Sequence, residues 1–163
     1  MLMKTIVIGL GNPILTDDGV GVLVAYEVSK ILALQKRNDI EVTEASVGGI
    51  RLMELMVGFN RAILVDAIIS NNGRSPGRIR KMSLDDLCEI SPTQHSTSSH
   101  DTSITTALDM GRKLGLKLPD EIVIYAIEVE NIIDFNENPT SGVANAIPRA
   151  TKYVLDEIGK YPN

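Results

Sequence analysis

One stretch near the amino terminus constrains this chain more than any other: Gly9-Leu10-Gly11-Asn12-Pro13-Ile14-Leu15-Thr16-Asp17-Asp18-Gly19-Val20-Gly21. A β-branched run, Thr5-Ile6-Val7-Ile8, enters it, and an apolar helical pattern from Val20 to Leu34 leaves it. Strand, glycine-rich turn and helix start, in that order, make the βα unit of an α/β domain. Such turns commonly hold a phosphate on the helix N-terminus. Here two adjacent carboxylates, Asp17 and Asp18, already occupy that end, and they repel another anion. A dinucleotide fingerprint would also need a third glycine three residues after Gly11, so that helix and strand pack closely. Position 14 is Ile, and no GxxxxGK[ST] run occurs anywhere. The loop is therefore read as one that binds no nucleotide.

A carboxylate pair at a helix start can cap the helix, bind a cation or handle protons. For Asp17 the expectation is a helix cap, with Asp18 in the first turn behind it. Asp18 is open to the other two roles, because partners for it occur later in the chain.

The 163 residues suit one domain, 1–163, large enough for a single sheet with helices on both faces. A hydrophobic content of 44% and a charged content of 23% are those of an ordinary globular protein. The formal net charge is −5 and no basic block stands out, which argues against a nucleic-acid or anionic-membrane partner. Residues 1–15 carry one lysine and an apolar stretch broken by Gly9, Gly11, Asn12 and Pro13, so no targeting segment is expected. No apolar run reaches membrane-spanning length, and a cytoplasmic protein is expected. Cys88 is the only cysteine, which rules out an intrachain disulfide and a cysteine-rich metal site. It reads as a small buried hydrophobe on a short helix, or else as a thiol nucleophile paired with a histidine.

Further along, Ile40 to Ala45 alternates apolar and polar, which suits a strand near the sheet edge. Ser46-Val47-Gly48-Gly49 then opens a helix over Ile50 to Val57. Ala62-Ile63-Leu64-Val65 is a buried strand ending in Asp66, at the carboxyl edge where α/β proteins place their ligands. A helix or turn cap is the plainer role for that aspartate. Asn71-Asn72-Gly73 and Pro76-Gly77 are turn signals, and Arg78 to Met82 is read as an antiparallel strand. Ser83-Leu84-Asp85-Asp86 is a capping box with aspartate in place of glutamate. Ser98-Ser99-His100-Asp101 precedes a helix that runs to about Leu114. A histidine in such a loop is commonly just solvated, and the same holds for His95. Glu121 to Ile127 is the last strand. Residues 128–139 form a loop long enough to suspect a role. A final helix from Pro139-Thr140-Ser141 to about Ile158 is expected to bend or split at Pro148.

The alternation of strands and helices implies right-handed βαβ units. If strand 1 lies between strands 2 and 3, the topological switch point falls between strands 1 and 3. Asp18 and Asp66 then face one crevice, and His100 can close it. Two carboxylates and one imidazole make an open site for a divalent metal.

The chain resembles the nickel–iron hydrogenase maturation proteases. Their glycine-x-glycine-asparagine followed by an acidic pair before glycine-x-glycine is matched from Gly9 to Gly21. Their apolar strand followed by Asp-Ala is matched at Val65-Asp66-Ala67, and their Ser-x-His before a leucine-containing helix at Ser98-Ser99-His100 with Leu108. The Pro139-Thr140 turn is similar too. The resemblance implies a three-layer α/β/α sandwich around a mostly parallel five-stranded mixed sheet, with one strand antiparallel. It implies an endopeptidase that removes the C-terminal extension of a hydrogenase large-subunit precursor. The nickel carried by that precursor would be recognised by Asp18, Asp66 and His100, with no tightly held metal in the protein alone. Gly48 and Gly49 would lie in a glycine-rich segment that recognises the substrate. The family usually opens that segment with an aspartate and two glycines, where this chain has Glu44-Ala45-Ser46. A metal-polarised carbonyl, a metal-bound water and an aspartate acting as base all fit the chemistry. Two other classes stay open: a chaperone that reads the metal without cutting, and a small-molecule metallohydrolase.

Overall fold

The computed structural model describes residues 3–37, 39–69, 75–86 and 103–160. Its centre is a five-stranded sheet of β1 (Thr5–Leu10), β2 (Ile40–Ala45), β3 (Arg61–Ile68), β4 (Ile79–Met82) and β5 (Glu121–Glu128), in the order β2-β1-β3-β5-β4. All pairs are parallel except β4 with β5. The expected switch point is present: the chain leaves β1 to one side for β2 and lies on the other side as β3.

Helices cover both faces. The period of two along a strand sends alternate side chains to opposite sides. Ile6, Ile8, Leu64, Ile124 and Ala126 pack with Leu52 and Met53 of α2 (Gly49–Leu55) and with Ala107 and Leu108 of α3 (Ile104–Lys113). Val7, Ile63, Val65, Val123 and Ile127 pack on the other side with α1 (Val20–Gln35), α4 (Ser141–Ala144) and α5 (Ile147–Gly159). The central strands β1 and β3 are thus buried on both faces, which is why they read as unbroken apolar runs.

Local signals behave as their chemistry dictates. Ser83 and Asp86 form the reciprocal capping box: the Asp86 carboxylate accepts from the Ser83 N–H at 2.8 Å, and Ser83 Oγ accepts from the Asp86 N–H at 3.2 Å. Ser103 caps α3, its hydroxyl oxygen accepting from the Thr106 N–H. The last helical stretch is split, and Pro148 sits in the first turn of α5, where its missing N–H costs nothing.

Glycine does its closest work at the β1–α1 junction. A Cβ on Gly21 would overlap the carbonyl oxygens of Val65 and Leu10, and one on Gly9 would overlap the Gly21 carbonyl. The close helix–strand approach that a dinucleotide fold achieves with its third glycine is made here by Gly9 and Gly21. Because the obstacles are backbone atoms, Gly21→Ala is expected to destabilise by about 3 kcal/mol or more, read as a lower urea midpoint.

At the amino edge a buried ion cluster ties α5 to the sheet. Glu157, 2% exposed, accepts from Arg61 Nη2, from Lys160 Nζ at 2.7 Å, from Lys81 Nζ at 2.9 Å and from the Tyr125 hydroxyl at 2.8 Å. Burial alone would raise the Glu157 pKa, but the donors from Lys160, Lys81 and Tyr125 together outweigh it and hold the carboxyl at about 2. The folded-state pKa lies below the ordinary glutamate value, so the cluster stabilises at pH above the ordinary value and loses that contribution as pH falls toward 2. Glu157→Gln is expected to cost on the order of 2–3 kcal/mol at neutral pH and to flatten the decline in melting temperature between pH 5 and about 2.

Candidate active site

The carboxyl edge of the sheet is where the chain concentrates polar chemistry. β1 ends at Leu10, and Gly11 turns the chain with φ +128°, a conformation natural only to glycine. A 3₁₀ turn over Thr16–Gly19 follows and leads straight into α1. The Asp18 carboxylate folds back over this turn, its Oδ2 accepting from the Asn12 N–H at 2.7 Å. The other oxygen of this half-buried group accepts no hydrogen bond within the described residues.

Asp66 stands on the neighbouring strand. Pairing of β3 with β1 ends at Val65 opposite Gly9, so Asp66 is the first β3 residue beyond β1. The expectation that the strand stops there is corrected: β3 continues to Ile68 because β5 runs on beside it, with Asp66 opposite Ala126. Asp66 is 5% exposed, lies on the face packed by α2 and α3, and its Oδ1 accepts from the Ala67 N–H at 2.8 Å. The 3₁₀ turn that carries Asp18 packs against β3. Both aspartates therefore stand at the switch point, as their positions in the sequence imply. His100, and with it His95 and Cys88, lies outside the described residues. Among the described residues no three His, Cys, Asp or Glu side chains stand close enough to hold a metal ion.

Gly48 and Gly49 follow a segment bonded to the same turn. Gly48 caps α2, Gly49 is its first residue, and the Ser46 hydroxyl donates to the Gly11 carbonyl at 2.8 Å. The 46–49 segment is thereby fastened to the glycine-rich loop.

Asp17 is a correction. It caps neither the 3₁₀ turn nor α1, neither of which has a side-chain cap. The side chain is fully buried and reaches across to the loop after β5. Oδ1 accepts from the Thr140 N–H at 2.7 Å, and Oδ2 from the N–H groups of Asn131 at 3.0 Å and Glu130 at 3.2 Å and from Thr140 Oγ1 at 3.1 Å. Nearby backbone joins in: Thr16 N donates to Asn136 O and Asn136 N to Ile14 O. The two acidic neighbours thus divide the work, Asp17 holding a loop while Asp18 faces the edge. A cavity of about 400 Å³ opens beside this loop, lined by Ile69, Glu128, Glu130, Asn131 and Thr140 among others.

A charged pair on β4 and β5 also borders the site. Arg80 lies in one row with Asp66, across the small Ala126, and its guanidinium is 2.5 Å from the buried Glu128 carboxylate. Only the register reveals it, since nothing in the local sequence distinguishes Arg80 from any arginine on a strand.

Comparison with solved structures defines the fold first. The fold is that of the hydrogenase-maturating endopeptidase HybD from Escherichia coli, at a TM-score of 0.75 and 22% identity over 97% of this chain and 93% of that one. HybD of Thermococcus kodakarensis superposes at a TM-score of 0.61, with 22% identity over 95% and 99% of the two chains. A protein of Methanocaldococcus jannaschii that carries the provisional name of hydrogenase maturation protease is 27% identical over 95% of this chain and 96% of its own. The model of the HycI hydrogenase maturation protease family matches residues 22–157. The chain belongs to the hydrogenase maturation protease family, and its class is that of a peptide-bond hydrolase.

Proposed function

We propose that this protein is the endopeptidase that removes the C-terminal extension of a nickel-loaded hydrogenase large-subunit precursor. The observation that supports the reading is the parallel pairing of β1 with β3, which puts Asp66 and the turn that carries Asp18 at the same carboxyl edge of the sheet. His100, three residues before the cap of α3, is the third ligand in this reading. Two carboxylates and an imidazole, with no thiolate, hold a metal weakly by themselves but complete the shell of an ion that substrate cysteines already grip. Nickel is then cargo of the substrate, and no resident metal is needed. Discrimination follows as a difference of affinities between loaded and empty precursor.

Gly48 and Gly49 would lie against the substrate chain, in a segment whose Ser46 is bonded to the Gly11 turn. The protein would act in the cytoplasm, without nucleotide, nucleic acid or membrane as partner; no helix among the described residues is long and apolar enough to cross a membrane.

Mass spectrometry of a nickel-loaded precursor mixed with the purified protein tests the reading. A large subunit shortened by its extension is expected. An intact precursor in stable complex would mean a chaperone instead, and turnover of simple esters or dipeptides with added metal would point to a small-molecule hydrolase. Replacing residues 128–139 with a short glycine linker is expected to weaken precursor binding by at least about tenfold, because the loop flanks the site and would lose its fixed shape; unchanged affinity in a titration would refute that role.

A further inference from the structure

The loop held by Asp17 is over-fastened for a connection that only links β5 to α4. Besides the Asp17 bonds, Asn131 Oδ1 accepts from the N–H groups of Ile133 and Asp134, both at 3.2 Å, and Thr16 Oγ1 donates to the Asp134 carbonyl at 2.6 Å. Leu15 and Asn136 form a parallel bridge. Yet this fixed backbone holds two large apolar side chains out in water: Ile133 and Phe135 are each 81% exposed. Ile14, on the glycine-rich loop to which residue 136 is bonded, is 46% exposed. The fold gains nothing from this display, whereas a partner does. Apolar anchors on a pre-ordered loop bind with little ordering cost.

The charges around the anchors specify the partner. Glu130, Asp134 and Glu137 are exposed on the same loop, and residues 121–140 contain no lysine or arginine. Position narrows it further: the platform is hydrogen-bonded to residues 14, 16 and 17, immediately before Asp18, so whatever rests on it is continuous with a chain entering the site. We propose that Ile133, Phe135 and Ile14 form a docking platform that seats an apolar patch of the precursor fenced by lysine or arginine. The proposal rests on the reading of the site as precursor-processing and adds where, and by what chemistry, the precursor is gripped.

Steady-state processing of a nickel-loaded precursor tests it. Ile133→Ser/Phe135→Ser is expected to raise KM by about tenfold or more, with kcat within about twofold and the melting temperature unchanged, since neither side chain is buried in the free protein. Glu130→Lys/Glu137→Lys is expected to raise KM at low salt, with the difference shrinking as salt is added. If the wild type processes the precursor and the serine variant matches it in KM, the platform is wrong while the reading of the site stands. If the wild type neither cleaves nor binds the precursor, both fall. A concentration-dependent dimer in sedimentation that the serine variant abolishes would assign the platform to a second copy of this chain and overturn the proposal.

Discussion

Asp18→Asn and Asp66→Asn are each expected to abolish removal of the precursor's extension while leaving the fold intact. Asparagine keeps the oxygen that each backbone bond needs: Asp18 accepts from the Asn12 N–H and Asp66 from the Ala67 N–H. What it removes is the negative charge, the property that a cation or a moving proton requires. Loss of an outer-shell partner in a metal site costs roughly 10–100-fold, so loss of a ligand is expected to exceed about 100-fold in kcat/KM. The melting temperature should move by no more than about 4 °C. His100→Ala is expected to behave in the same way. Full processing by Asp66→Asn/His100→Ala would remove the site from the mechanism altogether.

Asp17→Ala has the largest expected effect on stability. The carboxylate is fully buried and accepts from three backbone N–H groups and one hydroxyl. An alanine there leaves those donors without an acceptor, at about 1–3 kcal/mol for each group that water does not reach. Water reaches some of them because the loop lies at the surface, so about 3–5 kcal/mol overall is expected, visible as a melting temperature lowered by roughly 10 °C. Hydrogen exchange separates this from a lost helix cap. Protection should fall at the amides of residues 130, 131 and 140 and hold at the start of α1. The opposite pattern, or an alanine variant as stable as the wild type, would restore the capping role and remove the clamp.

The contrast between Asp17 and Asp18 shows where sequence reading reaches and where it stops. The edge position of β2, the reversed β4 and the split at Pro148 are legible, because each follows from local periodicity or turn chemistry, and β1 between β2 and β3 is the placement weighed for the switch point; the order β3-β5-β4 is not encoded locally. The switch point between β1 and β3, which puts Asp66 and the turn carrying Asp18 at one edge, is legible from the rules for parallel connections. The partners of Asp17 lie 113 to 123 residues away on another loop, and no local pattern encodes a bond of that span. A good N-cap residue at a helix start invites the capping assignment, and tertiary demand for an acceptor overrides it. Gly21 is a similar case, since its need for a missing Cβ comes from Val65 on a distant strand.

Nickel X-ray absorption of a loaded, uncleavable precursor, before and after this protein is added, tests the central claim most directly. New oxygen and nitrogen scatterers around the metal are expected with the wild type and not with Asp18→Asn/Asp66→Asn. A nickel spectrum that stays the same when the wild-type protein is bound would contradict the account.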